Sequence, residues 1–96
     1  MVYSRRAEAQ LMDLLAHIAL AASPEIAVRY VDAIVDLCES LSTFPNRGAR
    51  RDDLWPGLRV MGFRRRVSIA FVAEKKTVTV HGVFYGGQNL ETAFDD

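Results

Sequence analysis

Residues 67–85 read VSIAFVAEKKTVTVHGVFY: two alternating runs around a short charged interruption. Val67, Ile69, Phe71 and Ala73 fall to one side, with Ser68, Ala70 and Val72 on the other. After Glu74, Lys75 and Lys76 the alternation resumes, with Val78, Val80, Gly82 and Phe84 against Thr77, Thr79, His81, Val83 and Tyr85. A period of two is that of strands with one buried face, so this stretch predicts a β-hairpin turning at Glu74–Lys76. The preceding LRVMG, residues 58–62, alternates loosely and supplies a third antiparallel strand.

Upstream the period is different. Leu11, Leu14, Leu15, Ile18 and Ala22 recur at three- and four-residue steps, as on an amphipathic helix that Ser4 caps and Glu8 favours in its first turn. AASPEI interrupts it. Ser23 is a good N-cap, Pro24 suits the first helical position, and Glu25 complements the helix dipole. Ile26, Tyr30, Ile34, Leu37 and Leu41 trace the face of a second helix, which ends before TFPNRG. The short link predicts an antiparallel helical hairpin with facing apolar stripes. Val2 and Tyr3 make a brief edge strand. The tail GGQNLETAFDD turns on Gly86 and Gly87, as a bend needing positive φ, and can form one helical turn. The fold class is therefore α+β: a short N-terminal strand, then a helical hairpin packed on a small antiparallel β-sheet, in the order β-α-α-β-β-β.

The 96 residues suffice for one domain, 1–96, of ordinary globular composition: 50% apolar and 25% charged. No run of eighteen apolar residues and no signal-peptide pattern is present, so the chain reads as cytoplasmic. The single cysteine, Cys38, allows no internal disulfide, suits a reducing compartment, and lies on the apolar side of the second helix as a core residue. Two histidines and one cysteine, far apart, give no metal-ligand spacing, and no cofactor motif is present. Trp55, before a proline, reads as an anchor for loop packing.

A formal net charge of zero conceals an uneven distribution. Residues 1–46 balance at −3 and residues 67–96 at −2, whereas residues 47–66 carry seven arginines against Asp52 and Asp53, a balance of +5. Within this basic island Arg64, Arg65 and Arg66 are consecutive. If they extend the following strand, Arg64 and Arg66 point away from the helices and Arg65 toward them or their rim. Such arginines pair internally with Asp52, Asp53 or acids of the second helix, or they form a docking surface for an anionic partner.

The run RGARRDDLWPGLRVMGFRRRVSIAFV, with VTVHGVFYGGQNLE after it and AVRYVDAIVDLCESLSTFPNRG before it, resembles the ParE branch of the ParE/RelE toxin superfamily. The most specific piece is Arg51-Asp52-x-Leu54-x-Pro56-Gly57-Leu58-Arg59. The resemblance implies the β-α-α-β-β-β fold and a small toxin of a type II toxin–antitoxin pair, neutralised by direct binding of a protein antitoxin. ParE-type members poison DNA gyrase, whereas RelE-type members cut messenger RNA on the ribosome. The shared fold does not choose between these activities.

RelE-type members resemble one another in placing lysines and arginines on the sheet, with a tyrosine or histidine near the C-terminus. Here Lys75 and Lys76 fall in a turn, and Gly86-Gly87-Gln88-Asn89 has no basic residue where many relatives place an arginine. The nuclease candidates are His81, Tyr85 and Arg59. His81 and Tyr85 share a strand face but lie roughly 13 Å apart along it, too far to grip one phosphate together. Gyrase inhibition by binding is therefore the first reading. A RelE-like ribosome-dependent endoribonuclease is the alternative, and a non-toxic partner acting only in antitoxin-mediated autorepression is the second alternative. The partner-binding candidates are Arg59, Arg64, Arg65 and Arg66, with Leu11, Leu15 and Ile18 of the first helix and Tyr85 of the last strand. No helix-turn-helix pattern supports sequence-specific DNA binding by this chain alone.

Overall fold

The computed structural model describes residues 1–86, 88 and 90–94. Two helices, α1 (Arg5–Ala21) and α2 (Pro24–Ser40), follow the two-residue strand β1 (Val2–Tyr3). Then come β2 (Ala49–Arg50), β3 (Leu58–Phe63), β4 (Val67–Ala73), β5 (Val78–Tyr85) and the single turn α3 (Leu90–Ala93). The expected hairpin and meander are present. The sheet has five strands, in the order β1-β5-β4-β3-β2. It is mixed, because β1 lies parallel to β5, and β2 adds an edge beside β3 that the sequence pattern did not announce. A two-residue strand has no alternation to read; β2 exists because β3 presents Arg59 and Val60 to it.

Both helix starts are fixed by serines. Ser23 Oγ accepts the Ile26 N–H at 3.2 Å, ahead of Pro24. Ser4 Oγ accepts the Ala7 N–H and donates to the His81 carbonyl, each at 3.1 Å, so the N-terminus of α1 is tied to β5. Beyond the end of β1, the Val83 N–H of β5 finds its acceptor in Gln10 Oε1 of α1, at 2.7 Å.

The helix-facing core packs Ala7, Leu14, Ile18, Ile34 and Cys38 against Ile69, Phe71, Val80 and Val83 of the sheet. A smaller core lies on the outer face, where Leu58, Ala70 and Phe84 pack with Leu54 and with Leu90, Ala93 and Phe94 of the C-terminal segment. One irregularity decides which residue goes where. Along β4, Ala70 pairs with Gly82 but Phe71 pairs with Val80, leaving His81 as the extra residue of a β-bulge. The expected alternation is therefore broken at that point. Val78 and Val80 face the helices, but Val83 joins them and Tyr85 packs there too, whereas Phe84, grouped with Val78 and Val80 by alternation, turns to the outer face. Gly82 is what allows this, since a Cβ there would collide with the Phe84 ring. Gly86 has φ +63, as its turn requires; Gly87 and Asn89 lie outside the described residues. No helix among the described residues is long and apolar enough to cross a membrane.

Candidate functional site

The basic island divides into a self-paired loop and a free end. Arg50 grips Asp52 through Nε at 2.9 Å and through a second nitrogen at 3.3 Å. Arg51 does the same to Asp53, at 3.1 and 3.0 Å, and also lies 3.6 Å from Glu91. Asp52 Oδ1 accepts the Gly57 N–H at 2.9 Å, fixing the loop around Pro56. The Arg50 guanidinium, and then that amide, hold the Asp52 carboxyl below the usual carboxylate range. Arg59 sits opposite Arg50 across the β2–β3 pair, a like-charge placement that Asp52 offsets. These pairs are exposed, so each adds little to stability. Their effect is geometric. They use up Asp52 and Asp53, and among the described residues no carboxylate lies within 4.0 Å of Arg59, Arg64, Arg65 or Arg66.

Residues 64–66 are not extended. They close the β3–β4 hairpin, with the Arg66 N–H donating to the Phe63 carbonyl at 3.2 Å. Arg64 has φ 49 and Arg65 φ 61, both in the left-handed region that disfavours a side chain by about 1–2 kcal/mol per residue. The expected split of these arginines between sheet faces therefore fails, because the pairing of Phe63 with Val67 leaves the intervening residues to turn. Arg64 folds back toward α2, its Cζ 4.9 Å from the Phe63 ring centroid and 5.4 Å from that of Tyr30. These two rings meet edge to face at 5.3 Å. Arg64, Arg65 and Arg66 are all exposed.

Tyr85 completes this end. The bulge brings it to the helix side, where its ring lies 5.5 Å from that of His17 on α1, and its N–H donates to Gln88 Oε1 at 2.8 Å. Burial, and then Tyr85, push the Tyr30 phenol above its ordinary range, while Arg64 and Arg66 pull it back. His17 and Tyr30 were not singled out as site residues by sequence reasoning, because each sits on a helix and only the bulge and the turn bring partners to them.

His81 lies elsewhere. It lines a cleft of about 290 Å³ with Ser4, Arg6, Trp55, Ala93 and Phe94, where Arg6 Cζ stands 5.2 Å over the Phe94 ring. Tyr85 instead lines a smaller cleft with Gln10, Asp13, Leu14, His17 and Gln88, which among the described residues shares none with the first. The expectation that His81 and Tyr85 share a strand face is thus corrected by the bulge between them. Arg59, the third nuclease candidate, is on β3, separated from β5 by the whole of β4. Burial, then Arg6, lower the His81 pKa, against a smaller opposing effect of Glu74. Its protonation therefore favours the unfolded chain, which takes up the proton first as pH falls below about 6.5. Stability is expected to be greatest above that value and to decline from there through the lowered folded pKa. Melting temperatures at pH 7.5 and 5 should differ less in His81→Gln than in the wild type.

Cys38 is fully buried, and burial pushes its thiol up to about 11 against the opposing effect of the Tyr3 hydroxyl, so the protonated form prevails at neutral pH. Among the described residues no cluster of three His, Cys, Asp or Glu side chains is arranged to hold a metal. Of the apolar candidates, Ile18 is in the core and Leu11 and Leu15 pack against it, so the sheet already occupies the face that periodicity revealed. The exposed apolar residues of the hairpin are different ones: Met12 and Leu20 on α1, and Ile26 and Val28 on α2.

A sequence model of the family described as ParE toxin of type II toxin–antitoxin systems, parDE, matches residues 1–90. The chain belongs to the ParE toxin family. Among solved structures it is similar to a chain of the chromosomal ParDE toxin–antitoxin system from P. aeruginosa, with 27% identity and a TM-score of 0.74. The similarity covers 88% of this chain and 91% of that one. No curated protein matches it. The family match takes in α1, α2, all five strands and the arginine turn.

Proposed function

We propose that this ParE-family chain is the toxin of a ParDE pair, acting in the cytoplasm by binding DNA gyrase, without catalysis of its own, and silenced by a cognate antitoxin. Family membership supports the toxin reading. What favours a binding mode over RelE-like ribonuclease action is the separation of His81, Tyr85 and Arg59. A general base, a general acid and a phosphate-holding cation have to converge on one phosphate, and His81 and Tyr85 line clefts with no described residue in common. The helical hairpin fits an antitoxin. Met12, Ala16 and Leu20 recur every four residues along the exposed side of α1, a ridge suited to a partner's amphipathic helix.

The test adds the purified chain to gyrase supercoiling reactions and, separately, to translating ribosomes. The expected result is loss of supercoiling with accumulated cleaved DNA, relieved by antitoxin. Intact supercoiling with codon-linked messenger cuts would transfer the assignment to the nuclease branch. Normal growth on expression without antitoxin would favour a purely autorepressing partner.

A further inference from the structure

The Arg64–Arg66 turn is expensive as it stands. A hairpin bend with two consecutive left-handed residues is closed with little strain by Asn-Gly, yet arginine fills both positions. Strained residues persist where their surroundings hold them, and such outliers gather at binding sites. Here the surroundings are visible: Arg64 lies over the Phe63 and Tyr30 rings, and all three arginines of the turn are exposed. The hydroxyl of Tyr30 is shielded from water and has no hydrogen-bond partner among the described residues. The three guanidinium groups are donors only, with no carboxylate among the described residues within 4.0 Å of any of them.

We propose that this turn is a carboxylate-reading site that receives a short acidic segment of a protein partner across Arg64, Arg65 and Arg66. The proposal deepens the reading of the chain as a protein-binding toxin, and rests on it for the partner's biological identity. Guanidinium forks bind carboxylates and phosphates alike, but the surroundings favour the former. Nucleic-acid affinity is built from many phosphates neutralised over a wide basic surface. In the basic island Arg50 and Arg51 are already paired, and Arg47 donates to Ser40. The neighbouring helices present exposed Asp13, Glu25, Asp32 and Asp36. The unpaired positive charge is thus a short patch, matched in extent to a short acidic peptide rather than to the many phosphates of a duplex.

The experiment titrates the full ¹⁵N-labelled chain with a hexaglutamate peptide and, separately, with a 12-base-pair DNA duplex at low salt. The peptide is expected to move the amides of residues 64–66 and to bind more tightly than the duplex. Arg64→Asn/Arg65→Gly should raise Tm by about 4 °C or more and weaken the peptide at least tenfold. Arg66→Gln, outside the strained pair, should weaken it without raising Tm. Shifts confined to other surfaces, undiminished peptide binding by both variants, or preference for the duplex would overturn the proposal; an unchanged Tm in the double variant would remove its premise of strain. The titration needs neither gyrase nor antitoxin, so an inactive chain in the supercoiling or growth assays leaves this result standing.

Discussion

Phe71→Ala is expected to destabilise the chain by about 3–5 kcal/mol, a large part of the roughly 5–10 kcal/mol available to a domain of this size. Phe71 is fully buried at the middle of β4, itself the central strand of the five, with Arg59 and Val80 as its cross-strand neighbours. Its ring belongs to the core between sheet and helices, which cannot close over a cavity without shifting α1 and α2 on the strands. With 1 kcal/mol worth about 4–8 °C in a domain this small, a thermal melt followed by circular dichroism should show Tm falling by at least about 12 °C. Phe84→Ala is the informative comparison. Phe84 packs in the smaller outer core, 5% exposed, under the C-terminal segment. Its loss should cost less and loosen that segment first. Equal losses at the two positions would mean that the outer core is as essential to the fold as the inner one.

The contrast between these phenylalanines also marks the limit of what the sequence conveys. Alternation assigns Phe71 to the helix side correctly, because the pattern around it is unbroken. It groups Phe84 with Val78 and Val80, from which the structure separates it, because the count passes through a bulge that adds His81. The local sign was Gly82, since a glycine inside a strand often marks a bulge or a close approach. Ser4, Ser23 and Pro24 could be read as helix starts because capping depends on neighbours three residues away. The parallel seat of β1 depends on β5, more than seventy residues later, and has no local trace. The arginine turn was misread for a related reason. Arg64-Arg65 lacks turn chemistry, and only the register of β3 on β4 forces those residues to bend. The candidate site was legible as charge and illegible as geometry.

The same distinction governs the helical hairpin, where periodicity finds the face that the protein keeps for itself. Ile18 is 9% exposed, whereas Met12 and Leu20 on the same helix are 65% and 90% exposed. Met12→Asp/Leu20→Asp is therefore expected to leave the fold nearly untouched, with Tm within about 4 °C of the wild type, since neither side chain is part of a core. If the antitoxin covers this ridge, the effect on binding is large. Burying a leucine or methionine contributes about 1.5–3 kcal/mol, and an aspartate in its place must be desolvated without a partner. Two such losses predict an antitoxin affinity weaker by roughly a hundredfold or more. Calorimetric titration with antitoxin measures this directly. The companion growth assay should show toxicity that co-expressed antitoxin no longer relieves, while gyrase inhibition by the purified variant persists. Unchanged affinity would place the antitoxin on another surface, and the free sheet end around Tyr85 and the arginine turn would then be the next to test. Loss of both antitoxin binding and gyrase inhibition would mean that toxin target and antitoxin compete for the same ridge, so that neutralisation works by direct occlusion.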